Sequence, residues 1–416
     1  MTGTEQPPSR KKIAFWHRYG PADHIIAGGH CIPRLIEMLS PYCEVHYFGL
    51  KTRTKVHNTL VTRATLHYLP FTLNRSSMRN KISGTLIWYL ALPLIALRCR
   101  LMGVDVVFMD ETLPLTPLIA RLFFGQAVAI TVADFFLNIY FERHPWMRPI
   151  TNLIEWLDYY TWRRIPLIFT KVHYTRTFLA GRGIPFARIC PVYNPCDAHI
   201  YFPGSRDESR RKFNIPPNTL VLVHHGVLHP NKGNDRIIRA LAEIREQLPD
   251  WRFLLIGSGP ELESLKALSR DVGLSNHMIF TGWLPGEKEV NRALNAGDIG
   301  LVMRIGQSSD DFHLTDTLVH EMAIGLPILA AKLKGIEEII VDGQSGLLFD
   351  PQDMNEFKSK FLELAHNEQK RKDFGIQSGV LCARHFNIDK AAAAMAIPLL
   401  ELAGIKYDEN YFERKP

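Results

Sequence analysis

Residues 321–346 read EMAIGLPILAAKLKGIEEIIVDGQSG. Glu321 lies in a short helical stretch that Gly325-Leu326-Pro327 ends; an apolar strand, a Lys-Gly-Ile-Glu-Glu turn and a Gly-rich turn follow. Helix, strand and glycines in that order predict the rim of a parallel α/β sheet. Such a rim offers backbone N–H groups and a carboxylate to one ligand. The positive end of a helix suits a diphosphate, and a carboxylate accepts from both hydroxyls of a ribose.

Working outward, strand and helix alternate along both halves, which predicts α/β with parallel sheets. In the second half the strands fall at 220–224, 251–256, 278–281 and 298–302, with helices at 235–247 and from Asp316. In the first half they fall at 12–17, 45–48, 104–109, 127–132 and 167–170, with Gly28-Gly29 at a turn before a helix over 31–39. A length of 416 residues exceeds one ordinary core and predicts two domains. We expect a loose tail over 1–12, a first domain over 13–200, a second over 201–390, and a helix and tail over 391–416 returning to the first. The turn formers Asn194, Pro195 and Asp197 mark the joint at 192–203.

These motifs resemble the donor site of family 4 glycosyltransferases. Glu321 falls on that family's second motif glutamate, Gly325-Leu326-Pro327 on its Gly-x-Pro, and Gly335-Ile336-Glu337 on its Gly-Ile/Val-Pro-Glu. Residues 226–233, GVLHPNKG, resemble its phosphate loop, with Gly226 and Lys232 matching and Val227 where an arginine stands. His224, His225, His229 and Arg304 are candidates for the missing charge. Asn194, Asp197, Phe202 and Pro203 match the family's joint. The resemblance implies the GT-B architecture, two Rossmann-like parallel-sheet domains facing each other across a cleft. It further implies a retaining transfer from a nucleotide-diphosphate sugar to a glycan or lipid-linked acceptor, with no cofactor and no metal.

Residue by residue, it implies that Gly282-Trp283-Leu284 holds the base and that Gly28 and Gly29 face the phosphates. His313 stands where the family's first motif glutamate would be, as a donor to the leaving phosphate. Thr315, Asp316 and Thr317 open a helix whose N–H groups cradle the diphosphate; a plain cap is the other reading. Ala133 replaces a histidine in Thr131-Val132-Ala133-Asp134, leaving Asp134 to take the acceptor proton. Asp134, His313 and Lys232 are thus the catalytic candidates. The departures at Val227, Ala133 and His313 keep a non-catalytic partner subunit open, and an epimerase or phosphorylase of the same fold is a further rival.

The net charge of +7 is uneven: residues 1–204 carry 23 Lys+Arg and 12 Asp+Glu, and residues 45–104 hold nine Lys/Arg and no acid. Inside that window, residues 84–97 read GTLIWYLALPLIAL, an apolar run broken by Pro93. It is short of the roughly 20 residues that span a bilayer. Two readings stay open, a buried core helix and an interfacial anchor facing anionic lipid. No nucleic-acid motif accompanies the basic surface. Six cysteines without CxxC spacing, and a polar start, read as a cytoplasmic protein; the interfacial reading of the apolar run would place it peripherally on the inner face of the cell membrane.

Overall fold

The computed structural model describes residues 10–19, 31–52, 56, 58–73, 78–110, 112–133 and 145–413. The chain divides into two compact units, Met1–Asn194 with Ile388–Pro416 (unit 1) and Pro195–Asn387 (unit 2). The cut after Asn194 lies within the 192–203 joint, where the sequence reading set the boundary at 200. Lys12, where the expected tail and the expected first strand overlap, is the first residue of that strand.

In unit 1, β1 (Lys12–Trp16), β2 (Glu44–Thr52), β3 (Thr65–Leu73), β4 (Val106–Met109), β5 (Val128–Val132), β6 (Leu167–Thr170) and β7 (Ile189–Pro191) form one sheet. Its order is β3-β2-β1-β4-β5-β6-β7, with every pairing parallel. Side chains alternate across a strand, and β1 feeds two cores. Ile13 and Phe15 join Leu35 and Leu39 of helix Cys31–Leu39 and Ala392, Met395 and Leu399 of helix Ile388–Leu402. Ala14 and Trp16 join Trp88, Leu92 and Ala96 of helix Met78–Leu101 on the other face.

Two edge strands, β3 and β7, are absent from the sequence reading. Pro70 hides β3: the register slips from Leu50↔Leu69 to Lys51↔Thr72, so the proline occupies a bulge on an edge, where a missing N–H does no harm. The run read as broken at Pro93 is one helix, Met78–Leu101. Proline removes one helical hydrogen bond, but Trp88, Leu92, Ile95 and Ala96, all buried, anchor the helix on both sides of it.

In unit 2, β8 (Leu220–His225), β9 (Trp251–Ile256), β10 (Met278–Phe280), β11 (Ile299–Val302), β12 (Ile328–Ala331) and β13 (Gly346–Phe349) run in the order β10-β9-β8-β11-β12-β13, again all parallel. The continuous burial of β8, β11, β12 and β13 is that of strands covered on both faces. The strands and helices of the two units are those of the GT-B fold.

Candidate functional site

Parallel pairing brings the carboxyl ends of all six unit 2 strands to one edge. The strand order reverses between β8 and β11, and ligands of open parallel sheets bind beyond the carboxyl ends at such a reversal. His224 and His225 end β8; Arg304 follows β11.

Glycines shape the loop after β8. Gly226 has φ +130° and turns the chain away from the strand. The Gly257-Ser258-Gly259 turn after β9 lies backbone against backbone on that loop. A Cβ at Gly257 would stand 2.0 Å from the Gly226 carbonyl oxygen, and one at Gly259 2.2 Å from that of Leu228. The Leu228 N–H donates to the Ser258 carbonyl at 3.0 Å. This turn therefore supports the loop that carries Lys232, which ends the single 3-10 turn Pro230–Lys232 before helix Asn234–Ile244.

Burial, then the Arg304 guanidinium, pull the Lys232 ammonium down to about 8, against Asp310, Asp316 and Glu321, which raise it. Glu321 is 0% exposed, and neither carboxylate oxygen has a hydrogen-bond partner. Burial holds its pKa well above the carboxylate range, with Lys232 the opposing influence. Lys232 and Glu321 therefore act on one another in one neighbourhood. The carboxylate fits because residue 300 on β11 is glycine: a Cβ there would lie 2.6 Å from Glu321 Oε2. An unpaired buried carboxylate costs a fold free energy, so this arrangement needs a reason beyond packing.

Arg304 stands where the absent loop arginine would be useful. Its Nη1 donates to Asp310 Oδ1 at 2.8 Å in a buried pair, while its Nε has no partner. The histidines are unsuited to supplying charge. Burial, then Lys232, bring His224 down to about 4; burial, then His224 and Lys232, bring His225 down to about 3. His224 Nδ1 is bonded to the Leu301 carbonyl at 2.8 Å, and His225 stacks on His320, which stacks on Tyr201 at 3.6 Å between centroids. His229 caps the turn, accepting from the Asn231 N–H.

Helix Asp316–Ala323 opens on Thr315, whose hydroxyl accepts from the Leu318 N–H at 3.4 Å. The Thr317 hydroxyl donates to the His225 carbonyl at 2.9 Å. The Thr315 hydroxyl thus caps the helix and the Thr317 hydroxyl ties its start to β8, leaving ligand contact to the backbone. His313 lies between the one-turn helix Ser308–Phe312 and that helix, half-buried, its N–H donating to the Asp310 carbonyl at 3.1 Å. Gly282, φ +65°, has open space where a Cβ would be, and Trp283 beside it is 66% exposed. With Leu284 they follow the edge strand β10, farther from Lys232 than Glu321 is in strand order.

Gly28, Gly29 and Asp134 lie outside the described residues. Among the described residues no group of three or more His, Cys, Asp or Glu is set to hold a metal ion. An open hollow of about 550 Å³, lined by Val341, Gln344, Asp373 and Ile376 among others, contains none of the residues above. It has neither a cation for a phosphate nor an unpartnered carboxylate, so the carboxyl ends of β8 and β11 remain the better site.

Residues 205–379 match the family described as "Glycosyl transferases group 1". The chain is 26% identical over 219 residues to a GDP-mannose-dependent alpha-(1-6)-phosphatidylinositol monomannoside mannosyltransferase of Mycolicibacterium smegmatis, covering 52% of this chain and 56% of that protein. It is 33% identical over 177 residues to a D-inositol 3-phosphate glycosyltransferase of Acidothermus cellulolyticus, covering 40% and 38%. The chain spans about half the length of the curated relatives it matches, or less. Among solved structures, Anabaena Alr3699/HepE in complex with UDP superposes with a TM-score of 0.71 at 16% identity, over 94% of this chain and 100% of that one. Sucrose-phosphate synthase of Thermosynechococcus elongatus gives 0.73 at 16% identity, over 95% and 100%. At such identities the likeness is one of fold.

Proposed function

We propose that this chain, a GT-B protein with a group 1 glycosyltransferase domain over residues 205–379, is a retaining glycosyltransferase. It moves a sugar from a nucleotide-diphosphate sugar to a glycan or lipid-linked acceptor. The observation that carries the donor half is Glu321, fully buried with both oxygens unpartnered in the same neighbourhood as Lys232. Two vicinal hydroxyls supply the two missing donors, as a ribose does. Because Glu321 is fully covered, donor binding includes a local rearrangement that brings ribose and carboxylate together.

The diphosphate then meets Lys232, Arg304 and the N–H groups opening helix Asp316–Ala323. As the bond from the sugar's anomeric carbon to the diphosphate oxygen breaks, the acceptor oxygen bonds to that carbon on the same face. The acceptor proton passes to a diphosphate oxygen. In this path the chief task of the protein is to stabilise charge on the departing diphosphate. His313 donates to it, and Asp134 serves the acceptor hydroxyl. The donor is a substrate, and the reaction calls for no cofactor and no metal.

A relative named as a mannosyltransferase acting on a phosphatidylinositol monomannoside supports a lipid-linked acceptor, held at a membrane surface. The six free cysteines support the cytoplasmic face. The test is calorimetric titration with UDP-, GDP- and ADP-sugars, then product analysis, for the wild type and Glu321→Ala. Loss of binding and transfer in the variant is expected. Equal binding and transfer would refute the donor site. Failure of the wild type to bind any donor favours a non-catalytic partner subunit, and product formed without acceptor favours an epimerase or phosphorylase.

A further inference from the structure

We infer that the outer faces of three neighbouring helices of unit 1 form one docking surface for an anionic lipid bilayer. The helices are Met78–Leu101, Thr116–Phe124 and Arg148–Trp162. Their inner faces share a single core on one side of the sheet, through Trp88 and Leu92, Ala120 and Phe124, and Tyr159 and Trp162. The outer faces are apolar too. On the first helix Ile82, Leu86, Leu90, Leu94 and Leu101 are exposed, up to 81% at Leu101. With Leu97, also exposed, steps of three and four place them along one side, in a ridge of roughly 30 Å at 1.5 Å per residue. Ile150, Leu153, Trp156 and Tyr160 make a second ridge on the third helix, and Leu122, 76% exposed, stands on the helix between them. Contiguous apolar ridges mark a partner surface, where single exposed leucines would not.

Charge selects the partner. The first helix carries Arg79, Lys81, Arg98 and Arg100 and no acid; Arg121 and Arg148 extend the positive rim to the other two. Cations around an apolar centre, with Trp156 and Tyr160 among the ridges, match a bilayer interface with anionic headgroups. A second copy of this chain would oppose its own positive rim. The first helix is long and apolar enough to cross a membrane. Its Trp88, Leu92 and Ala96, however, are 0–2% exposed against the sheet, so it lies on the bilayer and does not span it. The inference deepens the acceptor half of the function proposed above, giving a membrane-held acceptor, and is independent of the donor chemistry.

The test is sedimentation of the full chain with phosphatidylcholine vesicles, with and without phosphatidylglycerol, at low and high salt. Binding to the anionic vesicles alone, weakened by salt, is expected. Arg98→Gln with Arg100→Gln should lower it about fivefold per cation. Leu90→Asn with Leu94→Asn, and separately Ile150→Asn with Trp156→Ser, should each lower it about tenfold or more, since both ridges touch the bilayer. Three outcomes overturn the inference: no sedimentation, equal binding to neutral vesicles at every salt, or full binding in the Ile150/Trp156 pair. A concentration-dependent dimer in sedimentation velocity that the same pairs dissolve would replace lipid with a second copy. Nucleotide-sugar titration should be unchanged in every variant; its loss in the wild type would sink the donor reading while leaving the docking surface standing.

Discussion

Glu321→Gln separates a carboxylate kept for a ligand from an ordinary core residue. In the wild type, burial holds the Glu321 pKa well above its unfolded value of 4.5. Between those two values the folded chain binds more protons than the unfolded one, so stability falls as pH rises. The slope is about 1.4 kcal/mol per pH unit across that window. Glutamine keeps the shape and does not titrate. The stability of the variant relative to the wild type should therefore climb with that slope from about pH 4.5 upward. Urea denaturation at stepped pH, following the unit 2 transition, reads it. Calorimetric titration with a nucleoside diphosphate gives the second half. Two hydroxyl donors favour the ionised carboxylate, so the wild type should release a proton on binding and bind more tightly as pH rises. The variant should lack that dependence and bind about 10- to 100-fold more weakly, the 1.5–3 kcal/mol of a hydrogen bond to a charged group. A stability difference flat with pH, together with unchanged affinity, would refute the reasoning.

Lys232→Met should cost a comparable factor in diphosphate affinity by calorimetry while raising stability below pH 8. Burial depresses that ammonium to about 8, and the cost of holding it charged disappears with it. Gly300→Ala should destabilise by about 1–3 kcal/mol through collision with Glu321. Adding Glu321→Ala should recover much of that loss in the same denaturation assay. His224 and His225, at about 4 and about 3 when folded and about 6.5 unfolded, take up protons on unfolding. Stability is then fully present above pH 6.5 and is lost as pH falls toward 4, by up to about 1.4 kcal/mol per unit for each ring. An acid titration of the melting temperature checks this, with His224→Asn and His225→Asn flattening the curve.

The parallel α/β scheme and the strands around Glu321 were legible because fully buried strands and amphipathic helices leave strong periodic signals. β3 was not, since Pro70 argues against a strand until its bulge is seen. Helix Met78–Leu101 is apolar on its inner and outer sides alike, so periodicity offered no face to choose; the core reading holds for its inner side, where Trp88, Leu92 and Ala96 are buried, and the interfacial reading rests on the inference above. The Lys232 loop and Glu321 were readable as types at spacings. That the Glu321 carboxylate fits where it does depends on Gly300, a strand residue with no motif of its own. Arg304 was one of four candidates for the missing charge; burial, which keeps His224 and His225 neutral, and the turn that His229 caps select among them. Thr315 was legible as a helix cap, and its hydroxyl accepts from the Leu318 N–H; that the Thr317 hydroxyl ties the helix start to the His225 carbonyl of β8 carries no sequence signal.

A crystal structure of the chain with a bound nucleoside diphosphate tests the donor site most directly. The expected map has diphosphate oxygens within hydrogen-bond distance of Lys232 Nζ and both ribose hydroxyls on the Glu321 carboxylate. Nucleotide density elsewhere, as in the hollow beside Val341 and Asp373, with Glu321 still covered and unpartnered, would contradict it.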